Sequence, residues 1–280
     1  MADRASPSEP DSPEMVIPLD RLPAGFAERV EDPPADAAPT RPAATAVLVR
    51  ESEAGPELLL LKRLRSAGFV PGAWVFPGGR VDDADAAPEL LELAGGVPRG
   101  PDAPFWLAAV REVFEETGVL LARTAAGERL PHGAAETELR RWRNALLDEE
   151  ATLLDVLRGL GAVPDLDRMV YCAHWITPVA EPRRYDTRFF LAEQPTEAAA
   201  SVDPREMSDA LWLTPADALD AFQAGRLPMV FPTVKTIQRL AEYDTVRAML
   251  NAFRVGDIAP TLPRLVRTDR GVGIVMPDDD

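Results

Sequence analysis

Arg111-Glu112-Val113-Phe114-Glu115-Glu116-Thr117-Gly118-Val119 is the most informative stretch of this 280-residue chain. Taking Glu112 as the origin at ~100° per residue, Glu115 falls near ~300° and Glu116 near ~40° of a helix, so three carboxylates share one face. Trp106, Leu107, Val110, Val113 and Phe114 fall on the other side. The pattern predicts a helix from about Pro104 to Thr117, ended by Gly118, that buries an apolar face and presents three glutamates opposite. Like charges this close raise one another's pKa unless a cation neutralises them, and a divalent ion does so directly. Arg111 stands one turn before Glu115 and is placed to pair with it. By itself such a face also fits a solvated acidic surface, which is the commoner case.

Upstream, the apolar runs at 45–50 and 57–63 flank a polar turn and predict a β-hairpin. Ala73-Trp74-Val75-Phe76 leads into a sharp Pro77-Gly78-Gly79 turn, then an acidic patch, Val81-Asp82-Asp83-Ala84-Asp85. A short helix over 88–94 is broken by the glycines and prolines of 95–101. Downstream, helices are expected at 135–149 and 151–159, and strands at 169–176, 186–192 and 209–213. Thr214 before Pro215 predicts a capped helix start, and a last long helix is expected over 232–252. The alternation implies one α/β domain over 43–255 with a C-terminal extension over 256–280. Residues 1–42, with nine prolines and nine acidic side chains, read as a disordered tail.

Composition excludes several classes of function. With 46 acidic against 30 basic side chains the formal charge is −16, which is unsuited to a nucleic-acid surface, although a local basic pocket for a small phosphorylated ligand stays open. No apolar run approaches a membrane span. Cys172 is the only cysteine, in a strand-like context that predicts a buried, inert thiol. His132 and His174 share no metal-ligand spacing, so carboxylates are the metal-ligand candidates, and hard oxygen donors select Mg²⁺ or Mn²⁺. The acidic N-terminus lacks a signal-peptide pattern and the chain ends Met276-Pro277-Asp278-Asp279-Asp280 without a Ser-Lys-Leu address, so a cytoplasmic location is expected.

The wider pattern resembles the Nudix hydrolases, whose box runs glycine, five residues, Glu, seven residues, then Arg-Glu-apolar-x-Glu-Glu-x-Gly-apolar. Arg111, Glu112, Glu115, Glu116 and Gly118 match its fixed letters, a coincidence expected at a given start about once in 10⁶. Phe76-Pro77-Gly78-Gly79 matches its entry turn. Two departures stand out: Asp85 replaces the first Glu, and 25 residues separate it from Arg111 where the common box has seven, an insertion of 18. An interrupted box of this kind, with Trp175-Ile176-Thr177-Pro178 and Arg183-Arg184-Tyr185-Asp186-Thr187-Arg188-Phe189-Phe190-Leu191 beyond it, is similar to the peroxisomal coenzyme A diphosphatase-like branch.

The resemblance implies an α-β-α sandwich around a mixed sheet, with extra helices from insertions. It also implies metal-dependent hydrolysis of a nucleoside diphosphate linked to another moiety, with coenzyme A or acyl-CoA as the substrate and 3′,5′-ADP as a product. Glu112, Glu115 and Glu116, with the Gly79 carbonyl, are the implied ligands of Mg²⁺ or Mn²⁺, and Arg111 completes the catalytic set. Glu112, Glu206 or Asp209 would be the general base, and Arg63, Arg65, Arg183 and Arg184 the phosphate-binding residues. The coenzyme A motif upstream is only half kept: Leu59, Leu60, Arg63 and Gly72 stand in register, while Leu61, Leu64 and Gly68 depart from it. ADP-ribose, a dinucleoside polyphosphate or a nucleotide sugar, and a non-catalytic nucleotide-sensing module, remain the alternatives. No nucleic-acid or membrane partner is expected.

Overall fold

The computed structural model describes residues 13–65, 70–95, 102–130, 132–195, 198–254 and 257–277. Gly68, most of the 95–101 breaker, the first twelve residues and the last three lie outside the described residues. The strands are β1 (Met15–Pro18), β2 (Thr40–Ser52), β3 (Gly55–Arg63), β4 (Trp74–Val75), β5 (Gly78–Arg80), β6 (Ala122–Thr124), β7 (Ala162–Pro164), β8 (Met169–Ile176), β9 (Arg184–Glu193), β10 (Met207–Leu213), β11 (Arg264–Thr268) and β12 (Gly271–Val275). The helices are α1 (Phe26–Glu31), α2 (Pro88–Leu93), α3 (Ala103–Thr117), α4 (His132–Leu147), α5 (Leu153–Gly159), α6 (Pro215–Gln223), α7 (Phe231–Leu240) and α8 (Val246–Ala252). They fall into two compact units, one of Pro42–Ala173 and Thr187–Ile258, the other of Met1–Arg41, His174–Asp186 and Ala259–Asp280.

In the larger unit the strands run in the order β10-β3-β2-β9-β8, with β4 beside β3 and β5 beside β2. The predicted hairpin is β2–β3, antiparallel, with Val49 opposite Leu58 and Ser52 opposite Gly55. Alternate residues of β2 point to opposite faces, yet Ala46, Val47, Leu48 and Val49 are all fully buried, so both faces of the sheet are covered. One cover is α3, whose Leu107, Val110, Val113 and Phe114 pack in a core with Leu48, Leu59, Leu61 and Phe190. Burying each such side chain contributes about 2 kcal/mol. Another is α6, which packs on β3 and β10 and starts with the Thr214 hydroxyl accepting from the Asp217 N–H. The class is α/β with a mixed sheet, as expected.

Between Asp85 and Arg111 the described residues form α2 and the first two turns of α3. The single helix expected over 232–252 is two: α7 stops at Leu240, and α8 restarts where the Thr245 hydroxyl accepts from the Ala248 N–H. Apolar periodicity runs through both, so only this cap, a local competitor of the helix, marks the break.

In the smaller unit β1, β12 and β11 form an antiparallel sheet, and Phe26 and Ala27 of α1 pack on Val272. The stretch read as a disordered tail therefore carries a strand and a helix. The strand partner of Met15 is Ile274, far along the chain, and composition in a local window carries no trace of it.

Candidate active site

Helix α3 ends on Gly118 at φ 73°, a conformation that glycine adopts without strain. Its last turns place the three glutamates at a half-buried surface. Glu116 is only 5% exposed, against the reading of these carboxylates as a solvated face.

Arg111 organises them. Its Nε donates to Asp85 Oδ1 at 3.0 Å, and Nη2 to Asp85 Oδ2 at 2.9 Å and to the Arg80 carbonyl at 2.7 Å. Nη1 donates to Glu112 Oε1 and Glu115 Oε2, both at 3.0 Å. All five N–H groups of the guanidinium are thereby used. Burial opposes the charge on Arg111, but the Asp85 hydrogen bonds and the charges of Glu112, Asp85 and Glu115 outweigh it and raise the pKa. Arg111, expected in the catalytic set, thus spends all its donors within the protein.

Asp85, the residue that replaces the first Glu of the box, is fully buried. It also accepts the Asp82 N–H at 2.9 Å, which closes a short 3₁₀ turn over Asp83–Ala86. The turn after β5 is thus tied to α3 through the ion pairs of Arg111 with Asp85 and, at 3.6 Å, with Asp82.

Glu116 Oε2 accepts the Gly78 N–H at 3.0 Å. Gly79 lies directly against Glu112: a Cβ there would come within 2.4 Å of Oε1. Burial raises Glu112 to about 8, with Glu115 adding to it and Arg111 opposing. Burial likewise raises Glu115, against Arg111. Burial and the charge of Glu112 push Glu116 well above the ordinary carboxylate range, with smaller effects from Glu206, which raises it, and Arg63, which lowers it. The negative charge of this cluster is undercompensated by the protein alone.

Among the described residues no group of three His, Cys, Asp or Glu side chains is arranged to hold a metal ion as it stands. The donor chemistry nevertheless fits a divalent ion. Arg111 and Gly78 engage one oxygen each of Glu112, Glu115 and Glu116, and the second oxygen of each accepts no hydrogen bond from the described residues. Hard carboxylate oxygens with unspent charge suit Mg²⁺ or Mn²⁺.

The arginines expected to bind phosphate separate. Arg63, at the end of β3, has a buried Nε without a hydrogen-bond partner and bears electrostatically on Glu116. Arg65 is exposed. Arg183 and Arg184 belong to the smaller unit, where Arg184 donates to the carbonyls of Thr177 and Ala38. A cavity of about 500 Å³ lined by Arg123, Asp165, Asp167, Arg168, Glu193 and Arg254 contains none of the expected site residues. Cys172 is buried and its thiol is pushed up to about 12, chiefly by burial, which makes it inert as expected.

Two residues near the glutamates escaped the sequence reading. Arg143 of α4 donates from Nε to the Glu115 carbonyl at 2.8 Å, and Asp203 is buried with its N–H on the Glu116 carbonyl at 3.1 Å. Their partners are distant in sequence, and no local spacing announces them.

A glutamate-bearing helix capped by glycine, its arginine locked on an acidic turn, and a Gly-Gly turn pressed on the first glutamate reproduce the interrupted box in space. The family profile described as the NUDT19 Nudix domain matches residues 96–240, just over half of the chain. The chain belongs to the NUDT19-type Nudix family. It is 31% identical over 235 residues to the acyl-coenzyme A diphosphatase NUDT19 of Gallus gallus, covering 68% of this chain and 62% of that protein. With the human protein of the same name it shares 29% over 271 residues, 81% of this chain and 72% of the relative. A solved NUDIX hydrolase from Alicyclobacillus acidocaldarius superposes with a TM-score of 0.65 at 28% identity, covering 79% of this chain and 99% of the other. Among the described residues no helix is long and apolar enough to cross a membrane.

Proposed function

We propose that this chain hydrolyses the diphosphate of coenzyme A or an acyl-CoA, with Mg²⁺ or Mn²⁺, to 3′,5′-ADP and the corresponding phosphopantetheine. The observation that carries the reading is the half-buried, undercompensated triad of Glu112, Glu115 and Glu116 on one helix face. The name of the chicken and human relatives, acyl-coenzyme A diphosphatase, supports the substrate class.

Glu112, Glu115 and Glu116 would hold the ion, with the Gly79 carbonyl beside Glu112. When bound, it supplies charge neutralisation for a diphosphate and acidifies water. The remaining work belongs to the protein and is mostly positioning, because phosphoryl transfer needs attacking and leaving oxygens in line with charge stabilised around them. Arg111 fixes the rotamers of Glu112 and Glu115, and Asp85 fixes Arg111. Arg63, whose buried Nε lacks an acceptor, is placed to take a phosphate oxygen.

Glu206 is the proposed proton acceptor. It is exposed and makes no ion pair with the described residues, so its oxygens are open to a water. Asp209 instead accepts its neighbour's N–H, from Ala210 at 2.9 Å.

The test is chromatography after incubating the protein with coenzyme A, an acyl-CoA, NADH and ADP-ribose, each with Mg²⁺, with Mn²⁺ and with chelator. Metal-dependent 3′,5′-ADP from the CoA substrates alone is expected. Preferential cleavage of ADP-ribose or NADH would discard the coenzyme A reading, and no cleavage under any condition would favour a nucleotide-sensing module.

A further inference from the structure

The C-terminal turn of α3 leaves carbonyls that a helix cannot satisfy itself. Here they have four different partners. Phe114 O accepts the Gly118 N–H at 2.9 Å, Glu115 O accepts Arg143 Nε at 2.8 Å, Glu116 O accepts the Asp203 N–H at 3.1 Å, and Thr117 O accepts the Ser201 N–H at 2.8 Å. The segment 201–203 thus docks end-on against the glutamate helix. Arg143 grips the same segment, with Nη1 on Ser201 Oγ at 3.1 Å and Nη2 on Ser201 O at 3.0 Å. The guanidinium fork therefore bridges α4, α3 and the segment.

Past the staple, the chain turns tightly. The Glu206 and Met207 N–H groups return to Asp203 O at 3.3 and 2.9 Å, and Asp203 Oδ1 takes the Arg205 N–H at 3.2 Å. Glu206 O then accepts the Leu64 N–H at 3.0 Å, and Met207 pairs with Arg63. Glu206 is in this way set down beside Arg63 at the glutamate end of the sheet. Its backbone is thus held on one side by the bond to Leu64 and on the other by the docked 201–203 segment, which Arg143 clasps at Ser201.

We propose that Arg143 is a positioning residue for the reaction, stapling the 201–206 segment to the end of α3 and thereby fixing the Glu206 carboxylate. This rests on the reading of Glu206 as proton acceptor. Burial lowers the pKa of Arg143, with Asp203 and Glu116 opposing, as fits a guanidinium engaged largely by carbonyls. Lysine, with one point charge, cannot reproduce a fork that meets three acceptors at once.

The experiment combines kinetics on coenzyme A with Mg²⁺ and amide hydrogen exchange on the full chain, for Arg143→Lys, Arg143→Ala, Glu206→Gln and the two double variants. Arg143→Lys and Arg143→Ala should lower kcat about 10-fold or more with KM within about twofold, and in the Glu206→Gln background should add less than about twofold. The 198–207 peptide should exchange faster while α4 and the first half of α3 stay protected. Multiplicative losses in the double variants would overturn the proposal, as would unchanged exchange over 198–207. The exchange arm needs no turnover, so a failure of the coenzyme A reading leaves the staple decided on its own evidence.

Discussion

Arg111 and Asp85 meet as a two-pronged, buried ion pair, Nε to Oδ1 at 3.0 Å and Nη2 to Oδ2 at 2.9 Å, across an insertion that carries its own helix. The pair converts an interrupted stretch of sequence into a continuous structural unit, because it ties the turn after β5 to the glutamate helix. Removing one partner strands the other charge in the interior. Asp85→Ala is expected to destabilise the fold by about 3–5 kcal/mol. It should also lower turnover, since Arg111 would be free to swing from Glu112 and Glu115. Urea unfolding with an unchanged m-value reads the first effect, and a loss below about 1 kcal/mol would show that the pair is not structural.

Glu115→Gln and Glu116→Gln should each reduce turnover at least ~10²-fold with the fold retained, because each removes negative charge that would hold the ion. Circular dichroism checks the fold and product chromatography the rate. A well-folded double variant with near-normal activity would sink the assignment of α3 as the metal-holding element.

How far the sequence reveals this depends on how local the determinants are. The glutamates, Arg111 and Gly118 share one helix, so spacing alone puts the carboxylates on one face. Thr214 caps α6 from three residues away, and that start is legible for the same reason. Asp85 is harder: the fold brings it back to Arg111, and an 18-residue insertion hides the register. Arg143 and Ser201 are 58 residues apart and Met15 and Ile274 farther still, so neither contact leaves a local pattern. The break between α7 and α8 escapes because Thr245 caps a helix inside an otherwise continuous apolar period.

Gly79→Ala tests the closeness of the entry turn to the metal helix. The added methyl would sit 2.4 Å from Glu112 Oε1 and 2.7 Å from its Cδ, which no ordinary contact tolerates. Glu112 is a flexible side chain and can rotate away, so the expected outcome is a folded protein with a displaced carboxylate. Activity should fall about 10-fold or more while stability changes by less than about 1.5 kcal/mol. Full activity with Mg²⁺ would mean that Glu112 does not need its present rotamer.

Without metal, the carboxylate cluster makes stability depend on pH in an unusual direction. Glu112 is raised from its ordinary value of 4.5 to about 8, and Glu115 and Glu116 shift the same way. The folded state therefore holds these protons more tightly than the unfolded chain, and the stability this contributes is complete below the ordinary pKa and lost as pH rises towards 8. Asp155, lowered by its hydrogen bonds to Thr152, works in the opposite sense but only at acid pH, beneath that window. Scanning calorimetry in the presence of chelator should show Tm falling between about pH 5 and pH 8, with a shallower slope in Glu112→Gln. A divalent ion that replaces the protons should raise Tm more at pH 8 than at pH 5 and release protons on binding, seen as a buffer-dependent heat in titration calorimetry. A metal-free Tm that rises through this window, or ion binding without proton release near neutral pH, would show that these carboxylates are already ionised and compensated by the protein itself.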